Sequence, residues 1–185
     1  MPRLGKSFIT ALDIGSSKTS CFIAEILPTG GLNIVGIGHQ VSAGIKSGTI
    51  TDIKLAENSI RAAVGAAEQM AEATVDRVVV NISGCKQESH NASAEMAISG
   101  HEISPRDIHR IIAQGCSQLQ DEDREIIHCI PIEYTIDNMR GIKDPNGMHG
   151  KFLSTDMHVM TASHTAILNI TTCLANCHLD VEDFI

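Results

Sequence analysis

Aromatic side chains are scarce: the 185 residues hold no tryptophan, one tyrosine (Tyr134) and four phenylalanines. Any core must therefore be built from Ile, Val, Leu, Ala and Met. Runs of Lys and Arg are missing as well, and the net charge is −8, which argues against a nucleic-acid surface. No stretch approaches the roughly 18 consecutive apolar residues of a membrane-spanning helix. Arg3 and Lys6 stand near the start as in an export signal, but Asp13 cuts the apolar run short. A secretory signal needs about 7–15 apolar residues there, so a cytoplasmic chain is expected.

Metal and disulfide signatures are equally thin. The six cysteines (Cys21, Cys85, Cys116, Cys129, Cys173 and Cys177) are scattered, most within apolar stretches, as reduced cytosolic thiols are. Cys173 and Cys177, followed by His178, share one helix face. That spacing alone is a weak zinc signal, and two small residues near a core are the preferred reading. The nine histidines contain no H-x-x-x-H or H-E-x-x-H arrangement. His128 and Cys129 lie in a strand-like run that sends neighbouring side chains to opposite faces.

What is present is an ordinary globular apolar content of 43%, enough for one good-sized domain or two small ones. Three strand-like runs, Ser7–Ile14, Thr19–Leu27 and Leu32–His39, are separated by turn residues and read as an antiparallel meander. A Gly/Ser-rich loop, Ser42–Gly48, leads into a helix. Its stripe is Ile53, Ala56, Ile60, Ala63, Ala67 and Met70, with Thr51 or Asp52 as cap. The run Val78–Ile82 reads as a buried strand beside the first.

From Cys85 the character changes. Lys86–Met96 is polar and suits an edge strand. Ser104-Pro105-Arg106-Asp107 is a helix start, with Ser as cap, Pro at the first position and a carboxylate in the first turn. Strands are expected at Ile126–Ile132, Tyr134–Met139 and Phe152–Ala162, with a loop at Gly141–Gly150. Ser163 would cap a last helix bearing Ile167, Ile170, Leu174 and Cys177, and Leu179–Ile185 alternates as a strand. The expected organisation is residues 1–84 with 161–185 as one subdomain, interrupted by a small α+β insertion at 85–160. A chain stopping on such a strand is expected to be a fragment of a longer protein.

The chemistry concentrates in Asp13-Ile14-Gly15-Ser16-Ser17-Lys18. An Asp at a strand end, then Gly and two hydroxyl residues in a hairpin, suits a phosphate. Glycine admits close approach, successive N–H groups form an anion-binding concavity, and Asp13 can hold Mg2+ through its water shell. Lys18 adds positive charge. The P-loop pattern G-x-x-x-x-G-K-[ST] is absent, and no helix follows to offer its N-terminus.

An opening strand, this turn, a meander, a helix and a fourth strand resemble the first half of the actin/Hsp70/sugar-kinase ATPase fold. Within it, four stretches resemble the FtsA family of bacterial cell division proteins. They are ALDIGSSKTSCFIAEI (Ala11–Ile26), SAGIKSGTITDI (Ser42–Ile53), VVVNISG (Val78–Gly84) and IPIEYTIDNMRGIKDPNGMHG (Ile130–Gly150). The resemblance implies an α/β fold, the first half of an actin-like (ribonuclease H-like) ATPase domain, with subdomain 1C inserted in subdomain 1A.

It further implies ATP and Mg2+ as cofactors, with Asp13 on the Mg2+ side and Gly15, Ser16, Ser17 and Lys18 at the phosphates. At most a weak ATPase is implied, and no catalytic base can be named from this sequence; Glu133 and Asp137 read as structural or surface residues. Implied partners are FtsZ, further copies of the protein, later division proteins and the inner membrane. The FtsZ-binding subdomain and the membrane-anchoring helix would lie beyond Ile185, and subdomain 1C would carry self-association and recruitment. The alternatives are a PilM-like pilus-assembly adaptor and a fragment of an actin-fold kinase or phosphatase. The last would need a catalytic carboxylate outside this sequence.

Overall fold

A computed structural model describes residues 7–119 and 121–185. In chain order the elements are β1 (Phe8–Ile14), β2 (Lys18–Ile26), β3 (Leu32–Val41), β4 (Ile45–Lys46), β5 (Thr49–Ile50), α1 (Ile53–Ala71) and β6 (Arg77–Ile82). Then follow β7 (Glu88–Ala97), α2 (Pro105–Ser117), β8 (Arg124–Ile136), β9 (Met139–Ile142), β10 (Phe152–Ser163), α3 (His164–Asn176) and β11 (Asp180–Phe184). The chain divides into two compact units, Met1–Cys85 with Thr165–Ile185, and Lys86–His164. No helix among the described residues is long and apolar enough to cross a membrane.

The first unit is built on a five-stranded sheet in the order β11-β6-β1-β2-β3. β1, β2 and β3 form the expected antiparallel meander, while β6 runs parallel to β1 and β11 parallel to β6. One face of β1 and β2 (Leu12, Ile14, Cys21, Ile23) is buried with Ile60 and Ala63 of α1 and Ile170 and Leu174 of α3. Each fully buried Leu or Ile contributes about 1.5–3 kcal/mol of transfer free energy. On the other face Ile9, Phe22, Ile34 and Ile37 remain exposed.

Helix α1 starts where the sequence signals it, with Asp52 Oδ1 accepting from the Leu55 N–H at 3.0 Å. It lies very close to β3 because β3 presents Gly36 and Gly38. A Cβ on Gly38 would run into the Ala63 carbonyl oxygen, and one on Gly36 into that of Ala67. The stretch read as a loop at Ser42–Gly48 contains half of a small ribbon, β4 paired antiparallel with β5. Its two-residue turn, Ser47-Gly48, has φ of 49° and 69°, the left-handed pair that such tight hairpins require.

The second unit is a four-stranded antiparallel sheet, β7-β10-β8-β9, with α2 packed on one face. Its core joins Ala92, Ala94 and Met96 of β7, Ile111 of α2, Tyr134 and Ile136 of β8, and Leu153, Met157 and Val159 of β10. The polar run that reads as an edge strand is β7, at the sheet edge, with Ala92, Ala94 and Met96 inward and Asn91, Ser93 and Glu95 outward. Ser104 N–H and Oγ both donate to Asp107 Oδ2, at 3.0 and 2.7 Å, closing the N-terminus of α2.

Two expectations are corrected. The two strands expected at Ile126–Ile132 and Tyr134–Met139 are one long strand, β8, and part of the expected loop pairs as β9. Pro131 is tolerated because the register shifts beside it, pairing Met157 with Pro131 but Asp156 with Glu133, so the missing N–H falls at a bulge. Ser163, expected as a cap, both ends β10 and stands immediately before the first residue of α3, the position a cap occupies. Finally, Cys116 and Cys129 are joined by a disulfide, with Cα atoms 6.6 Å apart, leaving four free cysteines instead of six.

Candidate functional site

The parallel pairing of β1 with β6 sets Asp13 directly beside Asn81 and ends both strands at the same edge. Ligands of open α/β sheets gather at the carboxyl ends of strands, where backbone polar groups run out of partners. The Asn81 Nδ2 donates to Asp13 Oδ1 at 2.9 Å, fixing the carboxylate and leaving its second oxygen to another donor. Asp13 is partly buried, whereas Ser16, Ser17 and Lys18 are exposed.

The turn itself is closed by the Gly15 N–H donating to the Lys18 carbonyl at 3.1 Å. A Cβ at Gly15 would lie 2.9 Å from that same oxygen, so the turn requires glycine for closeness alone. Two further bonds tie it to the segment before α1. The Gly48 N–H donates to Ser16 Oγ at 2.8 Å, and the Ser42 N–H to the Ser17 carbonyl at 3.1 Å. Thr19 Oγ1 and Ser42 Oγ are 2.9 Å apart. Gly48 also stacks on Gly84 at the end of β6; a Cβ on either would overlap the other's backbone.

The structure thus brings Asp13, Gly15, Ser16, Ser17 and Lys18 into one turn. It adds two residues that the sequence reading passed over, Asn81 and Gly48. Asn81 had a visible signal, a lone amide inside the apolar run Val78–Ile82. Gly48 had only the Ser-Gly dipeptide.

The fit to a hydrated Mg2+ and a phosphate can be judged from these donors. Ser16 Oγ accepts from Gly48 and keeps its own proton to donate, and Lys18 supplies a cation at the same turn. Among the described residues no group of three or more His, Cys, Asp or Glu could hold a metal ion. A cation at Asp13 would thus draw most of its shell from water and phosphate, as Mg2+ does. The residues fit that pair.

The two cysteines at the end of α3 face the backbone of α1. Cys173 Sγ and Cys177 Sγ point at the Ile53 and Glu57 carbonyls of α1, at 3.9 and 3.8 Å. Burial pushes the Cys173 thiol up to about 12, and Cys177 and Glu57 nearby push the same way against Arg61. Burial raises Cys177 as well. Arg61 Nη2 donates to the Asn176 carbonyl at the end of α3, at 2.6 Å, which satisfies a helix-end carbonyl and favours its dipole.

Residues 84–161 match the family model described as the SHS2 domain inserted in FTSA. The chain is 40% identical over 187 aligned residues to the cell division protein FtsA of Agrobacterium fabrum, covering 96% of this chain and 42% of that protein. This chain belongs to the FtsA family. The FtsA of Rhizobium meliloti is 36% identical, with 100% of this chain and 44% of the relative covered, and that of Escherichia coli K12 is 28% identical, with 97% and 43% covered. The chain therefore spans less than half the length of these FtsA relatives.

Among solved structures, the PilM-PilN type IV pilus biogenesis complex matches with a TM-score of 0.63 at 11% identity, covering 97% of this chain and 47% of that one. A likeness at that identity concerns the fold, which is the mixed α/β fold of the actin-like ATPases. Residues 84–161, which carry the FtsA insertion match, fall almost wholly in the second compact unit.

Proposed function

We propose that this chain serves an FtsA-type cell division adaptor that binds ATP with Mg2+, associates with itself and helps assemble and tether the FtsZ ring at the cytoplasmic face of the inner membrane. The observation that carries the nucleotide reading is the Asp13 carboxylate, oriented by Asn81 beside the Gly15-Ser16-Ser17 turn at the carboxyl edge of parallel strands. When bound, Mg2+ would neutralise phosphate charge. Asp13 would orient that ion's water, Ser16 and Ser17 would donate to phosphate oxygens, and Lys18 would offset the remaining charge. FtsZ and membrane contacts belong, on this reading, to regions outside the sequence described.

The second unit then supplies protein contacts, self-association and recruitment of later division proteins. Two features support this. Its strand β7 sits at the sheet edge with polar residues outward, a template for pairing with another chain. The outer face also carries a polar hollow lined by Ser93, Glu95, Thr135, Asp137, Arg140 and Asp156, with the Ser93 hydroxyl donating to Asp156 Oδ1 at 2.6 Å. The pilus-adaptor alternative has only the shared fold in its favour.

The test is equilibrium binding of MgATP to the full-length protein and to its Asp13→Asn and Ser16→Ala variants. Both should weaken binding, Asp13→Asn only when Mg2+ is present. Equal affinity of Asp13→Asn and wild type across a Mg2+ titration would remove the assignment. The present chain alone should bind MgATP weakly or not at all, since a cleft ligand needs both walls to exclude water.

A further inference from the structure

The disulfide of the second unit joins the end of a helix to an inner strand of the sheet, which is itself paired with β10. Cys116 lies in the last turn of α2 and Cys129 in the middle of β8, both half-buried. The N-terminal half of α2 is fixed by the Asp107 cap and by Ile108, Ile111 and Ile112 against the core. Its C-terminal half has Gly115 where a side chain would anchor it, and the space there is filled by Met157 from β10. Beyond that, this half is held by Leu119, packed on the edge of the core just past the helix, and by long polar side chains. Gln114 Nε2 donates to the Glu95 carbonyl and Gln118 Nε2 to the Ser93 carbonyl, both at 3.3 Å and exposed.

Because Gly115 lets α2 settle against Met157, the adjacent Cys116 comes within bridging distance of Cys129, whose Sγ also lies 3.8 Å from Met157 Sδ. We propose that Cys116 and Cys129 form a reversible thiol–disulfide site, oxidised by small disulfides of the glutathione class, which locks and releases the C-terminal half of α2. In the cytoplasm proposed for this chain thiols are kept reduced, so a disulfide there is a switched state and not a permanent staple. The four other cysteines are unsuited to this role. Burial raises all four thiols, Cys21 and Cys173 to about 12, which disfavours the reactive thiolate.

The chemistry is ordinary exchange. One thiolate attacks a sulfur of the small disulfide, forming a mixed disulfide and releasing one small thiol. The second thiolate then attacks the protein-bound sulfur and expels the other small thiol. Two electrons pass to the small disulfide, two protein S–H bonds are replaced by one S–S bond, and two small thiols are formed. The released half-turn of α2 is also what holds Ser93 and Glu95 from above, so the state of the pair reaches strand β7. None of this draws on Asp13 or the phosphate turn, and it stands or falls separately from the nucleotide reading.

The experiment equilibrates the full chain in defined mixtures of reduced and oxidised glutathione. Free thiols are then blocked under denaturing conditions, and peptides are mapped by mass. Expected is one linked pair, Cys116 with Cys129, lost on reduction and regained on oxidation, while Cys21, Cys85, Cys173 and Cys177 are alkylated throughout. Hydrogen exchange of residues 113–119 should slow roughly tenfold or more in the oxidised form. A pair that stays fully alkylated, carries stable glutathione adducts or links to other cysteines overturns the proposal. So does exchange at 113–119 that ignores the redox state. Reduced wild type serves as the reference, so no outcome depends on a variant folding.

Discussion

Both units lay a helix on a sheet, and they put the crucial glycine on opposite partners. In the first unit Gly36 and Gly38 sit on the strand, and the backbone of α1 descends onto them. In the second, Gly115 sits on the helix, and the flexible end of Met157 rises from the strand to fill the gap. Backbone against backbone leaves nothing that can move aside, whereas a thioether has three rotatable bonds and adapts. The first arrangement makes a fixed platform for the turn at Asp13. The second makes a helix whose far end can be let go.

The largest test of that contrast is Gly38→Val, which should destabilise the first unit by about 3 kcal/mol or more, since a Cβ there meets the Ala63 carbonyl and lies 2.8 Å from Ala67 N. Hydrogen exchange in α1 and β3 would measure it. A loss below about 1 kcal/mol would mean that α1 lifts off as easily as α2.

Next in size is Asp107→Ala, expected to cost about 1–2 kcal/mol by removing the cap of α2. Tyr134, the single tyrosine, lies in the core of the second unit and supplies a fluorescence signal for urea unfolding. The cap carries a pH signature. Hydrogen bonds from the Ser104 side chain and backbone hold the Asp107 carboxyl below its ordinary value, against some desolvation, with His101 helping. The folded form therefore binds the proton less readily than the unfolded one. The stabilisation is present above the ordinary carboxylate value and disappears as pH falls through the lowered folded value. The gap between wild type and Asp107→Ala should close in acid; a gap constant with pH would show that the cap acts without its charge.

Smallest should be Gly115→Ala. The added methyl displaces Met157 Cε, but the helix gains up to about 1 kcal/mol of propensity. A net loss within about 1 kcal/mol is expected, and Met157→Leu alongside should change it further if the two side chains share the space. A cost as large as that of Gly38→Val would erase the difference between the units.

Local signals were legible in the sequence. Asp52 before α1, Ser104-Pro105 with Asp107 before α2, and Asp13-x-Gly-Ser-Ser at the end of β1 all act within a few residues, and the structure places them as their spacing implies. The parts that were not legible depend on partners far along the chain. Pro131 breaks a strand unless β10 supplies the register shift opposite it. The Asn81–Asp13 bond requires the parallel register of strands 68 residues apart. Ribbon β4–β5 has only two residues per strand, too few for an alternation to show. The link between Cys116 and Cys129 follows from the depth to which Gly115 lets a helix sink, which no spacing encodes.

The stacked glycines at 48 and 84 carry a consequence for how such a sequence can drift. Neither can acquire a methyl group without pushing on the other's Cα, and Gly48 must in addition keep its left-handed turn. A substitution at one site cannot be rescued by shrinking its neighbour, because the neighbour is already the smallest residue there is. The tip of a minor ribbon is in this way bound to the end of a central strand by a constraint with no compensating partner. Change there is expected to come as insertion or deletion of backbone, not as exchange of side chains.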